Sequence, residues 1–201
     1  MLLLVNGATL DVPNYDVGTL IVPRGGHKLE SLNLQPGKWA IDNGAYSAFD
    51  AEAFATTLEK FQGVPGCLFV TAPDVVGDAA KTLELFADWH HYIRARGYPV
   101  ALVAQDGLEM RAVPWAFVDA LFIGGTTAFK FSKVTQALIQ HALQTGRWVH
   151  MGRVNTLRRL HHAETLGVQS VDGTYASRWP KIGLPKMTGW IEHLRTNKRL
   201  F

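Results

Sequence analysis

Six short apolar runs in this sequence each stop on an acid, an amide or a glycine. WAID ends on Asp42 and leads into Asn43-Gly44-Ala45-Tyr46, and CLFVTAP runs into Asp74. PVALVAQ ends on Gln105-Asp106-Gly107, ALFI on Gly124-Gly125, WVHM on Gly152-Arg153, and QSV on Asp172-Gly173. Taken singly, each is an ordinary turn former. As a set they exceed what turns require, because a turn needs some polar residue and not carboxylates plus a glutamine. Acids gathered near one pocket repel, which raises the pKa of at least one and fits it for proton transfer.

The chemistry open to such a set is specific. A carboxylate at a strand end, backed by glycine, can attack a sugar C1 atom, and a second carboxylate can serve as acid and base. An aspartate with a glutamine can read a guanine-like edge: the carboxylate accepts from ring N–H and exocyclic amine, and the amide donates to the carbonyl. Backbone N–H groups at Gly124 and Gly125 can add donors without side-chain interference. Asn43 and Tyr46 sit beside Asp42, Tyr46 in a loop where its ring can stack on a base.

These residues need elements that bring them together. Strands are expected at residues 19–23, 39–42, 67–73, 99–105, 120–124, 148–152 and 169–173, with the opening MLLLV as an eighth. Amphipathic helical patterns lie between them at 51–61, 78–97, 133–146 and 155–167. Asp78 and Asn155 are suitable N-caps, and Gly97, Gly146 and Gly167 suit helix ends. The β-α-β-α rhythm predicts a parallel sheet. Seven or eight strands in one short chain predict a single-domain α/β fold, a compact (β/α) barrel of TIM type with trimmed helices, spanning residues 1–201. An open doubly wound sheet is the alternative, and the absence of a GxGxxG after the first strands counts against it. In a barrel, all six strand ends face one mouth. Trp39, Phe69, Leu102, Phe122, Trp148 and Met151 read as core. Residues 178–190 (RWPKIGLPKMTGW) read as irregular and lead into a final helix from Trp190.

Composition narrows the setting. The chain has 201 residues, 47% hydrophobic and 18% charged, the balance of an ordinary globular protein. Its one cysteine, Cys67, excludes an internal disulfide framework and a thiolate-rich zinc cluster, so a reducing cytoplasm is the expected location. The N-terminus reads as a strand and not a signal peptide, and no apolar run is long enough to cross a bilayer. The net charge is +3, but residues 153–201 carry +6 and the first 152 carry −3. That bias reads either as a polyanion footprint or as a solvated basic terminus. Arg153, Arg158 and Arg159 open a helix after Gly152, a place suited to phosphate. Arg178, Trp179, Lys181, Lys186 and Trp190 combine cations and aromatics, as a nucleic-acid surface would, or as a C-terminal helix docked through its tryptophans. His90-His91 and His161-His162 are adjacent in helical patterns and cannot chelate on one face, so no metal is expected. His150, at a strand end, is either pocket-lining or a buried structural histidine.

In order along the chain, DNGAY (42–46), TAPDVV (71–76), VAQDG (103–107), FIGGTT (122–127), HMGRVNTLRRL (150–160) and GVQSVDGT (167–174) resemble the motif series of the tRNA-guanine transglycosylase superfamily. That family exchanges guanine for a 7-deazaguanine on a (β/α)₈ barrel. The resemblance implies Asp172 as the nucleophile of a covalent glycosyl-enzyme and Asp42 as the acid/base near the departing base. It further implies Asp74, Gln105 and the Gly124-Gly125 backbone as readers of the purine. It calls for no organic cofactor. The family's tRNA-acting members carry a C-terminal zinc site, and this chain has no cysteine after Cys67. The short zinc-less form is similar to phage and bacterial relatives that place 7-deazaguanine in DNA, which favours DNA over tRNA and, for a phage-encoded chain, the host cytoplasm. Arg153, Arg158, Arg178, Lys181 and Lys186 are the expected nucleic-acid contacts. A barrel this small leaves room for a homo-oligomer or accessory protein to share the grip. Two other readings stay open: a hydrolytic nucleoside or nucleic-acid N-glycosylase, and a non-catalytic barrel that binds nucleic acid or a phosphometabolite.

Overall fold

A computed structural model describes residues 1–6, 16–26, 37–46 and 48–198. Eight strands run in chain order around one sheet: β1 Leu2–Asn6, β2 Val17–Ile21, β3 Trp39–Ile41, β4 Cys67–Thr71, β5 Val100–Ala104, β6 Ala120–Ile123, β7 Trp148–Met151 and β8 Ser170–Asp172. Every neighbouring pair is parallel, and β1 pairs with β8 through Leu3 opposite Val171, so the sheet closes into a barrel. Closure settles the choice against the open doubly wound sheet. The chain is a single-domain (β/α) barrel of TIM type.

The strands alternate between the two sides of the barrel wall, as the period of two in a strand requires. Leu2, Leu4, Leu20, Ala40, Phe69, Ala101 and Ala120 pack with Phe122 and Trp148 in one buried cluster. Leu3, Ile21, Ile41, Val70, Leu102, Leu121, Val149 and Val171 belong to a second, shared with the helices. Burying each such side chain contributes roughly 1.5–3 kcal/mol. The first cluster stops short of the strand ends, where the alternation puts Asp42, Gln105 and Asp172 in line with it.

The helices are α1 Ala51–Lys60, α2 Ala79–Arg94, α3 Thr127–Lys130, α4 Lys133–Gln144, α5 Leu157–Thr165, α6 Thr174–Arg178 and α7 Pro180–Lys198. Asp50 caps α1 and Asp78 caps α2, each accepting from the backbone N–H three residues on. Gly97, Gly146 and Gly167 hold the left-handed conformation just past α2, α4 and α5 (φ 84°, 75° and 79°).

Two local expectations are corrected. The cap of α5 is Thr156, whose hydroxyl accepts from the Arg159 N–H. Asn155 instead accepts from the Tyr175 N–H at 3.0 Å, tying the start of α5 to α6. The second correction concerns residues 178–190, which are helical. Pro180 opens α7 at the position where a missing N–H costs nothing. The helix continues through Pro185, and Gly183 lies so close to the Tyr175 carbonyl that a Cβ would stand 2.3 Å from it. Residues 199–201, the end of the expected final helix, lie outside the described residues.

Candidate active site

The mouth is built from both sides of the barrel. On one side, β3 and β4 deliver Asp42, Asn43 and Asp74, and β5 delivers Gln105. Asp74 is gripped at both oxygens: the Asn43 side-chain amide donates to Oδ1 at 2.8 Å and the Gln105 amide to Oδ2 at 2.6 Å. Asn43 also donates to the Ala72 carbonyl (2.7 Å) and accepts from the Ala45 N–H (2.7 Å), which makes it the hub of this turn. Gln105 in turn accepts from the Gly77 N–H at 3.0 Å. Asp42 meets weaker donors, the Asn43 N–H at 2.9 Å and the Thr71 hydroxyl at 3.2 Å.

Burial, then the charges of Asp172 and Asp74, push the Asp42 carboxyl up to about 7. The closed parallel barrel puts all three acids at the same end, as their places at strand ends predict. Burial also raises Asp74, against the opposing pull of its two amide partners.

Across the mouth, Asp172 ends β8 with its side chain 17% exposed. His150 Nε2 lies 2.9 Å from its Oδ2, and the Arg153 backbone N–H donates to Oδ1 at 3.0 Å. Both oxygens are thereby fixed. Gly152 is required here by close approach, since a Cβ would stand 2.7 Å from the Phe122 ring and 3.3 Å from Asp172 Oδ2. Gly173 has a different reason from giving access to a sugar. A Cβ there would meet Asn155 Oδ1 at 2.6 Å and the Val154 carbonyl at 2.7 Å, so it packs the β8 end against the neighbouring loop.

Between the two sides lies the Gly124-Gly125 turn. The Gly124 N–H donates to the Ala104 carbonyl at 2.9 Å, which removes it as a ligand donor and corrects the reading of a two-donor turn. The Gly125 N–H meets no acceptor among the described residues. Asp106 is also committed, accepting from the Thr126 N–H (2.7 Å) and hydroxyl (2.5 Å) and so shaping this turn.

The sequence reading missed Lys130. It is 2% exposed at the end of α3, and its Nζ donates to the Ile123 and Gly124 carbonyls at 3.1 and 2.6 Å. Burial lowers it to about 8, with Arg153 and Arg159 pushing the same way and Asp172 opposing. The signal was present in the sequence, a lysine amid FIGGTTAFKF, but only tertiary packing turns it inward.

The rim is basic and aromatic where β7 and β8 end. Arg153 is exposed, with its guanidinium 4.4 Å from the centre of the Tyr46 ring, and Tyr46 is itself 65% exposed. Arg158 is exposed and lies over Phe131. Arg178, Trp179 and Lys181 are exposed at the α6–α7 junction, Trp179 at 62%. The Ser177 hydroxyl accepts from the Asn6 N–H, which sets this junction at the end of β1, on the mouth side. Lys186 stands apart from the other four. It lies lower on α7, its ammonium 5.8 Å from the Tyr175 ring and 5.5 Å from that of Trp190. α7 runs away from the mouth, because Arg195 near its far end bonds the Met1 carbonyl and Asp16 at the opposite end of the barrel.

Other groups stay outside the mouth. His90 is buried against Phe86, and His162 Nε2 lies 3.0 Å from the Lys130 carbonyl. Among the described residues, no cluster of three or more His, Cys, Asp or Glu is set to hold a metal ion. No helix among them is long and apolar enough to cross a membrane. A hollow of about 380 Å³ between the β2 end and α1 is lined by Arg24, Asp50, Thr57 and Lys60, and none of the mouth acids lines it.

Fold and site together define a (β/α)₈ barrel with an acid-lined, basic-rimmed mouth. No family model matches the sequence, and no curated protein matches it. Solved structures similar in outline include the Bacillus subtilis YkuI protein, with an EAL domain, in complex with c-di-GMP and calcium. That likeness has 15% identity and a TM-score of 0.41 over 90% of this chain and 46% of that one. The PaMucR phosphodiesterase, in complex with c-di-GMP, shows 12% identity and a TM-score of 0.36 over 79% of this chain and 66% of that one. The chain thus spans less than two thirds of either protein. At these values neither likeness bears on the chemistry of the mouth.

Proposed function

We propose that this chain is a base-exchanging transglycosylase, a pentosyltransferase that replaces guanine in a nucleic acid with a 7-deazaguanine, acting on DNA in preference to tRNA. One observation carries the reading: two aspartates in one mouth, Asp172 held at one oxygen by the Arg153 N–H and at the other by an imidazole nitrogen, and Asp42 pushed up to about 7. Environments that differ in this way assign one carboxylate to attack and the other to proton transfer.

In the first half-reaction an Asp172 oxygen attacks C1′ of the nucleotide. The C1′–N9 bond breaks, its electron pair stays on the base, and the Asp42 proton neutralises it. The product is a glycosyl ester on Asp172 plus free guanine. In the second half the incoming 7-deazaguanine gives its N9 proton to the Asp42 carboxylate, and N9 displaces Asp172 from C1′. One glycosidic bond is made for each one broken, so the exchange needs no external energy source and no cofactor.

Recognition follows from what is left unpaired. Each Asp74 oxygen already accepts one amide N–H and keeps a lone pair for the N1–H and amine of guanine. Gln105 and Asn43 act chiefly by aiming Asp74, and the Gly125 N–H can meet the guanine carbonyl. Tyr46, with Arg153 on one face, offers the other to a stacked base. Arg153, Arg158, Arg178 and Lys181 are set for phosphates, and Lys186 for a strand reaching down the flank. A paired guanine has to be flipped out to reach this mouth.

The test incubates the protein with DNA or tRNA and labelled guanine or 7-deazaguanine. Label should enter the polymer, with an adduct that disappears in Asp172→Ala. No label in either polymer and no adduct overturns the proposal, and free base released without incorporation points to hydrolysis instead.

A further inference from the structure

The barrel interior beneath Asp172 holds a polar column in an otherwise apolar space. Trp148 and His150 are alternate residues of β7, and Ser170 and Asp172 are alternate residues of β8, with His150 in register with Ser170. The Trp148 indole N–H donates to Ser170 Oγ at 2.8 Å. Ser170 Oγ lies 2.8 Å from His150 Nδ1, and His150 Nε2 lies 2.9 Å from Asp172 Oδ2. His150 and Ser170 are both 0% exposed, and the Phe69 and Phe122 rings lie 5.2 and 4.6 Å from the imidazole.

The protons in this column can be placed from donor and acceptor capacity. The indole only donates, so Ser170 Oγ is an acceptor toward Trp148. The hydroxyl hydrogen then needs an acceptor, and His150 Nδ1 is the atom within reach. That leaves the imidazole proton on Nε2, donated to Asp172. The other tautomer would strand the hydroxyl hydrogen in a buried site and turn a lone pair toward the Asp172 carboxylate, and both faults are costly away from water.

The contacts are those of a Ser-His-Asp array with access reversed. The serine sits at the closed end where no substrate reaches, and the carboxylate sits at the open end. Each imidazole nitrogen also faces the opposite partner from the hydrolytic arrangement.

We propose that His150 is the positioning residue of Asp172, locked with Nδ1 as acceptor and Nε2–H as donor by the Trp148–Ser170 column, so that Asp172 presents a fixed carboxylate at the mouth. Its effect on turnover rests on the transglycosylase reading; the tautomer lock does not. With Oδ2 held by His150 and Oδ1 by the Arg153 N–H, the carboxylate cannot rotate, and the same donors receive the negative charge when the glycosyl ester is broken.

The experiment is nitrogen-15 NMR of histidine-labelled protein, with exchange kinetics on the same samples. In the unaltered chain His150 should show a protonated Nε2 and a bare Nδ1. Ser170→Ala, which removes one oxygen and keeps the fold, should move both nitrogen signals toward a tautomer mixture and lower kcat for exchange roughly tenfold with KM unchanged. His150→Phe should lower kcat roughly 10- to 100-fold, the loss of one charge-assisted hydrogen bond, and His150→Gln should recover some of it. A protonated Nδ1 in the unaltered protein, or nitrogen signals unmoved by Ser170→Ala, overturns the tautomer lock. Absence of exchange by the unaltered protein overturns the transglycosylase reading alone, and the nitrogen signals still decide the tautomer lock.

Discussion

Asp42 and Asp172 both stand at the end of a three-residue strand, on the same end of one barrel. Their surroundings differ in kind. Asp172 lies against donors on both oxygens, one of them an imidazole anchored deep in the interior. Asp42 has a hydroxyl and a backbone N–H on one oxygen and two other acids nearby. The first environment fixes both oxygens in place, and the second raises the carboxyl to about 7. On the proposed transglycosylase reading, two residues of the same type take opposite roles from their neighbours, and the division follows the architecture: β7 and β8 would build the attacking side, β3 to β5 the proton-handling and reading side.

The sharpest way to break this comparison is to neutralise one acid at a time. Asp172→Asn should lower exchange by about 10⁴-fold or more and abolish the covalent adduct, since it removes the proposed nucleophile. Mass spectrometry of the trapped enzyme and label incorporation read both effects.

Asp42→Asn should cost less, about 10²- to 10⁴-fold, because proton transfer assists the reaction without forming the bond. It should also erase a pH dependence. With Asp42 near 7, guanine departure needs the protonated form and slows as pH rises through that value, whereas entry of the new base needs the carboxylate and slows below it. An Asp42→Asn enzyme that keeps the unaltered profile would remove Asp42 from the mechanism.

On the reading side, Asn43→Ala should release Asp74 and Ala45 together. The expected result is a KM for the incoming base raised roughly 10- to 100-fold with a smaller change in kcat, matching loss of a charge-assisted hydrogen bond. A large fall in kcat with constant KM would shift Asp74 from recognition to catalysis.

The last effect is on stability. The Asp42 carboxyl is raised in the folded state, so folding binds its proton more tightly. That contribution is full below the unfolded value of about 4 and is lost as pH climbs toward 7. Asp42→Asn should therefore stabilise the protein at pH 8 by at most about 4 kcal/mol and change little at pH 4, read by thermal unfolding at the two values.

The barrel and its mouth were legible because both follow local rules. Strands announce themselves as short apolar runs, and the residue after each must lie at one end of a parallel barrel. Asp42, Asp74, Gln105 and Asp172 were found in this way. What local rules could not give were partnerships made across the barrel. Pro185 and Gly183 look like helix breakers, yet α7 runs through both because it packs closely on α6. Asn155 looks like a cap, yet its amide is drawn to Tyr175. Gly124 looks like a free donor until the Ala104 carbonyl is seen opposite it. His150 left two readings open in the sequence, and only the stacking of Trp148, Ser170 and Asp172 in one interior column joins them.

Arg153 carries a further lesson. Its φ is 59°, a left-handed backbone that glycine adopts freely and an arginine adopts at a cost of about 1 kcal/mol. Glycine at 153 would keep the N–H that holds Asp172, so the carboxylate does not require an arginine. The guanidinium over Tyr46 is what the strained backbone retains. A screen for heat-resistant variants should therefore recover Arg153→Gly readily, and those survivors should be poorer at holding substrate. At this position a less stable backbone goes together with a cation at the rim.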